Sequence, residues 1–175
     1  MKTINLFVYG TLLSCFRGHY FLDGDPLCKA EISGNLYHYI AGYPIVELPK
    51  YHDLVSGSGD PRRDYLEQMK KIESGKYIRL EENGDYNFVS GELNEIPYSD
   101  NAFEVLDRYE GFTPNQRGLY NRSLVSVRKE NGSYTWAWVY HMTVIPPHTT
   151  EVMSGNWLDC FDERLNLLEE YAKPF

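Results

Sequence analysis

Two places in the chain combine residue types that could do chemistry. The first is Glu110. Ser99 or Asp100 can start a helix that runs to Tyr109 or Glu110, where Gly111 provides a stop. At helical pitch Ala102, Phe103, Val105, Leu106 and Tyr109 form one apolar arc, and Glu104, Asp107 and Arg108 fall outside it as solvated charges. Glu110 falls inside the arc, in line with Phe103 and Leu106. A carboxylate there is costly unless it is paired, hydrogen-bonded or neutralised by a raised pKa. A carboxylic acid tuned upward in that way suits proton transfer. The alternative is a helix that ends sooner, with Glu110 swinging to water.

The second place is the end of the first strand, Ile4 to Leu13, where an apolar run stops at Gly10. Glycine frees the backbone angles and lets a ligand approach the main chain. The N–H groups of Gly10, Thr11 and Leu12 could then converge on an anion as a backbone nest. An ordinary strand-to-turn junction would have the same sequence.

The elements that must position these groups are legible in part. Residues 30–48 form a strand pair bent at Gly42-Tyr43-Pro44, and residues 11–22 carry a turn of helix. Residues 52–60 form a glycine-serine loop without a phosphate-loop lysine. Asp60 caps a helix over Pro61–Glu73, with Tyr65, Leu66, Met69 and Ile72 on one face. Two Asn-Gly pairs, at 83–84 and 131–132, predict hairpins joining strands 76–81 to 86–95 and 120–129 to 134–142. In the last strand Tyr134, Trp136, Trp138 and Tyr140 alternate with smaller residues, as a tightly curved sheet requires. Residues 156–171 read as an amphipathic helix with a Trp157, Phe161, Leu165, Leu168 stripe laid over the sheet. The expected fold class is α+β: a mostly antiparallel, strongly curved, barrel-like sheet with peripheral helices.

Composition narrows the function. The chain has 175 residues, suiting one domain over 1–175, and its net charge of −8 argues against a nucleic-acid partner. An anionic ligand would have to be held by backbone dipoles or a few local cations. No apolar run approaches membrane-spanning length, so no membrane partner is expected. Three scattered cysteines without Cys-x-x-Cys fit reduced thiols in a cytoplasmic protein. Five histidines without zinc spacing make a metal site unexpected, and no cofactor motif stands out. Ser14, Ser56 and Ser58 lack a nucleophile elbow.

Taken in order, the motifs form a recognisable series. Tyr9-Gly10-Thr11-Leu12 follows the first strand, and Gly91-Glu92-Leu93 precedes Leu106-Asp107-Arg108-Tyr109-Glu110-Gly111-Phe112. Tyr120-Asn121-Arg122, Val125-Ser126-Val127 and Ala137-Trp138-Val139-Tyr140 come after. The series resembles the γ-glutamylcyclotransferase-like, or AIG2-like, family, in particular its small members with a Tyr-Gly-Thr-Leu loop. The resemblance implies a small barrel-like fold with a cavity at one side and no cofactor. It also implies that residues 9–12 hold the α-carboxylate of a small γ-glutamyl substrate through backbone N–H groups, with Glu110 as catalytic acid/base. The implied reaction closes the γ-glutamyl group of an amine or amino acid to 5-oxoproline and releases the amine.

The chain departs from the family at Asn94, where tyrosine is common, and in the stretch 50–84, which reads as an insertion near the cavity mouth. Tyr43 and Pro44 are candidates for the substrate wall, or only a bend. Tyr120 is a candidate cavity residue beside Arg122, or the two are a packed phenol and a snorkelling surface cation. Two readings of function stay open: a cyclising enzyme on a γ-glutamyl compound or a related small metabolite, and a non-catalytic binding module on the same fold. The oligomeric state is not legible.

Overall fold

In the computed structural model, which describes residues 2–50, 54–80, 85–114 and 118–161, eight strands form one sheet closed on itself. The strands are β1 (Thr3–Val8), β2 (Cys28–Tyr39), β3 (Pro44–Glu47), β4 (Val55–Ser56), β5 (Asn87–Pro97), β6 (Asn121–Lys129), β7 (Tyr134–His141) and β8 (Thr149–Glu151). Two helices lie outside the sheet, α1 (Pro61–Glu73) and α2 (Glu104–Glu110). The order β2-β5-β1-β7-β6 returns to β2 through the pairs Ala30–Lys129 and Glu31–Arg128, giving a closed five-stranded barrel. Strands β3 and β8 extend β2, and β4 pairs with β6. Every pairing is antiparallel except β1 with β7, matched at Leu6 and Trp138. An Arg128–Glu31 ion pair braces the closing seam.

Register explains the alternation in β7. Ala137 pairs with Val125 and Thr135 with Val127, on the face that also carries Phe7, Leu93, Val89 and Ile32. Apart from Phe7, the side chains that fill the narrow inside of the barrel are small or medium. Trp136, Trp138 and Tyr140 face outward, where α1 and α2 cover them. Large-out and small-in is what a five-stranded closure demands, since its interior cannot hold three aromatic rings in a row.

The Asp60 cap is present, its carboxylate accepting from the N–H groups of Arg62 and Arg63. However, α1 does not dock through the expected face. Leu66 is exposed, and the residues it buries most deeply are Asp64 and Gln68. Because β1 and β7 pair at a single register point, the Asn5 N–H is left over, and Gln68 Oε1 accepts it at 2.9 Å.

Other expectations need correction. Residues 76–80 are irregular rather than strand, and the Asn83-Gly84 hairpin lies outside the described residues. The C-terminal helix is not seen at its predicted start: Trp157–Cys160 is a 3₁₀ turn and Phe161 is extended. Residues 162–171 lie outside the described residues. Trp157 is fully buried against Phe16, Phe161 and His38, donating to His38 Nδ1. The 11–22 stretch holds a 3₁₀ turn over Arg17–Leu22.

Candidate active site

A cavity opens where β1 ends. Its walls are Phe7 to Leu12 from β1 and the following turn, Pro44 at the start of β3, Tyr140 near the end of β7, and Glu110 at the end of α2. The barrel brings these together because β1 lies between β5 and β7, while β2 carries β3 to the same end. As it stands the cavity is narrow, about 30 Å³. The exposed Tyr109 hydroxyl donates to Thr11 Oγ1 at 3.1 Å, linking α2 to the β1 turn beside it.

Gly10 is required for a different reason from the one its turn position suggests. Its φ is not positive; instead a Cβ there would lie 2.2 Å from Pro44 Cγ. The glycine lets Pro44 close against the main chain and form one cavity wall. The Leu13 N–H bonds back to the Gly10 carbonyl, but among the described residues the N–H groups of Gly10, Thr11 and Leu12 have no partner. Three unpaired donors beside a cavity are available to an anion.

Glu110 ends α2 with Gly111 in the left-handed conformation as its cap (φ 62°). Leu106 and Phe103, one and two turns before it, are buried. Burial raises the Glu110 carboxyl to a pKa of about 8. Among the described residues no hydrogen-bond donor reaches it. Three phenols stand close enough for its charge to raise their pKa further, and burial is the larger cause in each: Tyr9, Tyr120 and Tyr140.

Tyr43 and Tyr120 do not line this cavity. They pack behind Pro44, with ring centroids 6.4 Å apart, and the Tyr120 hydroxyl donates to the Pro44 carbonyl at 2.6 Å. Tyr9 lines the cavity and donates its hydroxyl to the Tyr140 carbonyl at 2.8 Å.

Asp107 and Arg122 overturn the expectation of solvated or snorkelling charges. Arg122 is fully buried, stacked 3.4 Å from the centre of the Phe103 ring. Its Nη2 donates to Asp64 of α1 at 2.6 Å and its Nη1 to Asp107 of α2 at 2.7 Å. Asp107 Oδ1 also accepts the Tyr140 hydroxyl at 2.6 Å. Burial raises the Asp107 carboxyl, with Arg122 and Tyr140 pulling against it. The 50–84 stretch therefore reaches the cavity indirectly, through Asp64, Arg122 and Asp107. Helical periodicity could not place Asp107, because its partner lies on a strand 15 residues later.

Elsewhere, Ser123 Oγ and His141 Nε2 form a buried pair at 2.8 Å, and burial lowers the His141 pKa to about 4. Among the described residues no group of His, Cys, Asp or Glu is arranged to hold a metal ion, and no helix is long and apolar enough to cross a membrane. Cys15, Cys28 and Cys160 are free thiols.

Comparison with known proteins gives the fold and the family. The chain is similar in structure to YkqA from Bacillus subtilis, at 21% identity and a TM-score of 0.52, over 90% of this chain but only 40% of that one. It is also similar to the uncharacterised protein PH0828 from Pyrococcus horikoshii, at 16% identity and a TM-score of 0.50, over 98% of this chain and 99% of that one. Among curated proteins no sequence match was found. The sequence profile of the γ-glutamyl cyclotransferase, AIG2-like family matches residues 47–159, more than half of the chain, from β3 through both helices to the Trp157 turn. On the strength of that match the chain belongs to the γ-glutamyl cyclotransferase, AIG2-like family.

Proposed function

We propose that the protein is a cyclotransferase that converts a γ-glutamyl amine or γ-glutamyl amino acid to 5-oxoproline and the free amine. One observation carries the reading: a half-buried, undonated carboxyl and three unpaired backbone N–H groups border the same cavity. An α-amino acid head has the complementary groups. Its carboxylate suits the N–H donors of Gly10, Thr11 and Leu12, and its ammonium suits Glu110.

Ring closure then moves two protons from the α-nitrogen to the leaving nitrogen. Glu110 takes a proton from the α-ammonium, and the freed nitrogen attacks the γ-carbonyl carbon. As the γ-carbon–nitrogen bond of the leaving amine breaks, the same carboxyl returns that proton to the leaving nitrogen, and the second proton of the attacking nitrogen follows it, so that the ring is a neutral lactam and the amine leaves as an ammonium. The nucleophile belongs to the substrate, so the site's main task is to fold the γ-glutamyl chain over itself. A carboxyl with a pKa of about 8 is mostly neutral in the empty site at pH 7. The incoming ammonium favours its ionised form and supplies the charge balance that burial denies it. The narrow cavity must widen to admit the head, and the exposed contact between Tyr109 and Thr11 is where it can give. The leaving amine would extend past that rim.

The test is incubation of the purified protein with a panel of γ-glutamyl amines and γ-glutamyl amino acids, measuring 5-oxoproline. Its formation from at least one of them, and its absence with Glu110→Gln, is the expected result. Tight binding of such compounds without turnover would favour the binding-module reading instead.

A further inference from the structure

The phenols around Glu110 share a property that their crowding alone does not require: each donates its hydroxyl somewhere else. Tyr9 donates to the Tyr140 carbonyl, Tyr120 to the Pro44 carbonyl, and Tyr109, the residue before Glu110 on α2, to Thr11 Oγ1. Tyr140 donates to Asp107 Oδ1 at 2.6 Å. Tyr140 is the exception in kind, since its acceptor is a charged side chain rather than a carbonyl or hydroxyl.

Asp107 and Glu110 are three residues apart on α2, so their side chains leave the helix on neighbouring sides. Tyr140 lines the cavity with Glu110 and is hydrogen-bonded to Asp107. Both carboxyls act on its hydroxyl: Asp107 accepts it, and the Glu110 charge adds to the rise of its pKa. Arg122 favours Asp107 as the acceptor: its Nη1 meets the same Asp107 oxygen at 2.7 Å, and Asp64 anchors the other end of the guanidinium. An oxygen that already accepts from a buried cation is held in one place, ready for a second donor.

We propose that Asp107 is a positioning residue for Glu110: it takes the Tyr140 hydroxyl for itself and so leaves the neighbouring carboxyl without a donor, free to exchange its proton. The inference rests on the proton-transfer role proposed for Glu110. A hydrogen bond from Tyr140 would stabilise the ionised form of Glu110 and make it a poorer acid for the leaving nitrogen. The titratable groups facing Glu110 are Tyr9 from β1, Tyr120 ahead of β6 and Tyr140 from β7. Those facing Asp107 are Arg122, Tyr140 and, beyond the guanidinium, Asp64.

The experiment is a ¹³C carboxyl NMR titration of Glu110 in the full chain, with the resonance assigned by its loss in Glu110→Gln. Asp107→Ala should lower the Glu110 midpoint by about one pH unit, the size of one hydrogen bond to an ionised acceptor. Tyr140→Phe alone should leave the midpoint in place, and the double variant should bring it back to the wild-type position. No shift in Asp107→Ala overturns the proposal. So does an equal shift in the double variant, which would make the effect one of charge alone. If Asp107→Ala does not fold, Asp107→Asn keeps an oxygen at the same place but accepts less strongly. It should then give a smaller downward shift that Tyr140→Phe abolishes, and the lack of that pattern is equally fatal. No substrate is needed, so the titration can stand or fall independently of whether any γ-glutamyl compound is turned over.

Discussion

At the scale of single residues, Glu110 was the most legible part of the site and Asp107 the least. Glu110 could be flagged because an acid in line with Phe103 and Leu106 conflicts with the apolar arc around it. The conflict is real in the fold, where burial raises its pKa to about 8. The apolar arc is narrower in the fold than helical periodicity predicts, since Val105 and Tyr109 are exposed. Glu110→Gln preserves the shape but cannot exchange a proton. Turnover should fall by ~10²–10⁴-fold, the usual contribution of a general acid–base group, while affinity for a γ-glutamyl ligand changes little. Glu104→Gln, on the exposed side of α2 in a surface pair with Arg108, should leave turnover unchanged. For the wild type, kcat/KM should rise about tenfold per pH unit below about pH 8, because the free site must lose the Glu110 proton before it can accept one. Full activity of Glu110→Gln, or a flat profile from pH 6 to 8, would remove Glu110 from the chemistry.

At the scale of elements, periodicity found those whose side chains answer to one neighbour and missed those set by closure. The hairpin between β6 and β7 and the antiparallel pair of β2 with β3 follow from turn residues and alternation. The parallel seam between β1 and β7 joins strands about 130 residues apart, and no local pattern marks it. Helix α1 illustrates the difference. Its cap and length are written in Asp60-Pro61, but it docks through Asp64 and Gln68, polar residues that meet their partners only in the closed barrel. Asp64 is saturated by the Ser58 N–H and hydroxyl and by Arg122, and Gly57 lacks a side chain where a Cβ would lie 2.8 Å from Arg122 Nε. Arg122 thus holds α1 and α2 to β6 from beneath. Arg122→Met would keep most of the packing on Phe103 but leave Asp64 and Asp107 without their buried cation. Breaking a buried pair in that way costs ~3–5 kcal/mol, which urea unfolding would detect as a large drop in midpoint. A loss below about 1 kcal/mol, the level of an exposed ion pair, would mean that the helices are held by their apolar contacts alone.

At the scale of the whole molecule, the half-buried Glu110 and the buried His141 pull stability in opposite directions with pH. Glu110 has a folded pKa of about 8 against an ordinary value of 4.5, so between those limits the folded protein binds more protons than the unfolded chain. Its contribution to stability falls as pH rises through that window, by about 1.4 kcal/mol per unit at most. His141 has a folded pKa of about 4 against 6.5, so between those limits the unfolded chain binds more protons and stability rises with pH. From about pH 4.5 to 6.5 the two slopes offset each other. From 6.5 to 8 Glu110 acts without that offset, and the protein should weaken on the alkaline side of neutrality. Asp107, also raised by burial, adds its own acid-side slope, but that is common to the wild type and a Glu110 variant. The difference between them therefore isolates Glu110. Urea midpoints of wild type and Glu110→Gln should coincide near pH 4 and diverge steadily up to pH 8, with the variant the more stable. Parallel curves would show that Glu110 is not held neutral by the fold, and its proposed role would lose its physical basis. Diverging curves would mean that the barrel gives up stability at neutral pH to keep one acid out of water, as a site under functional constraint does.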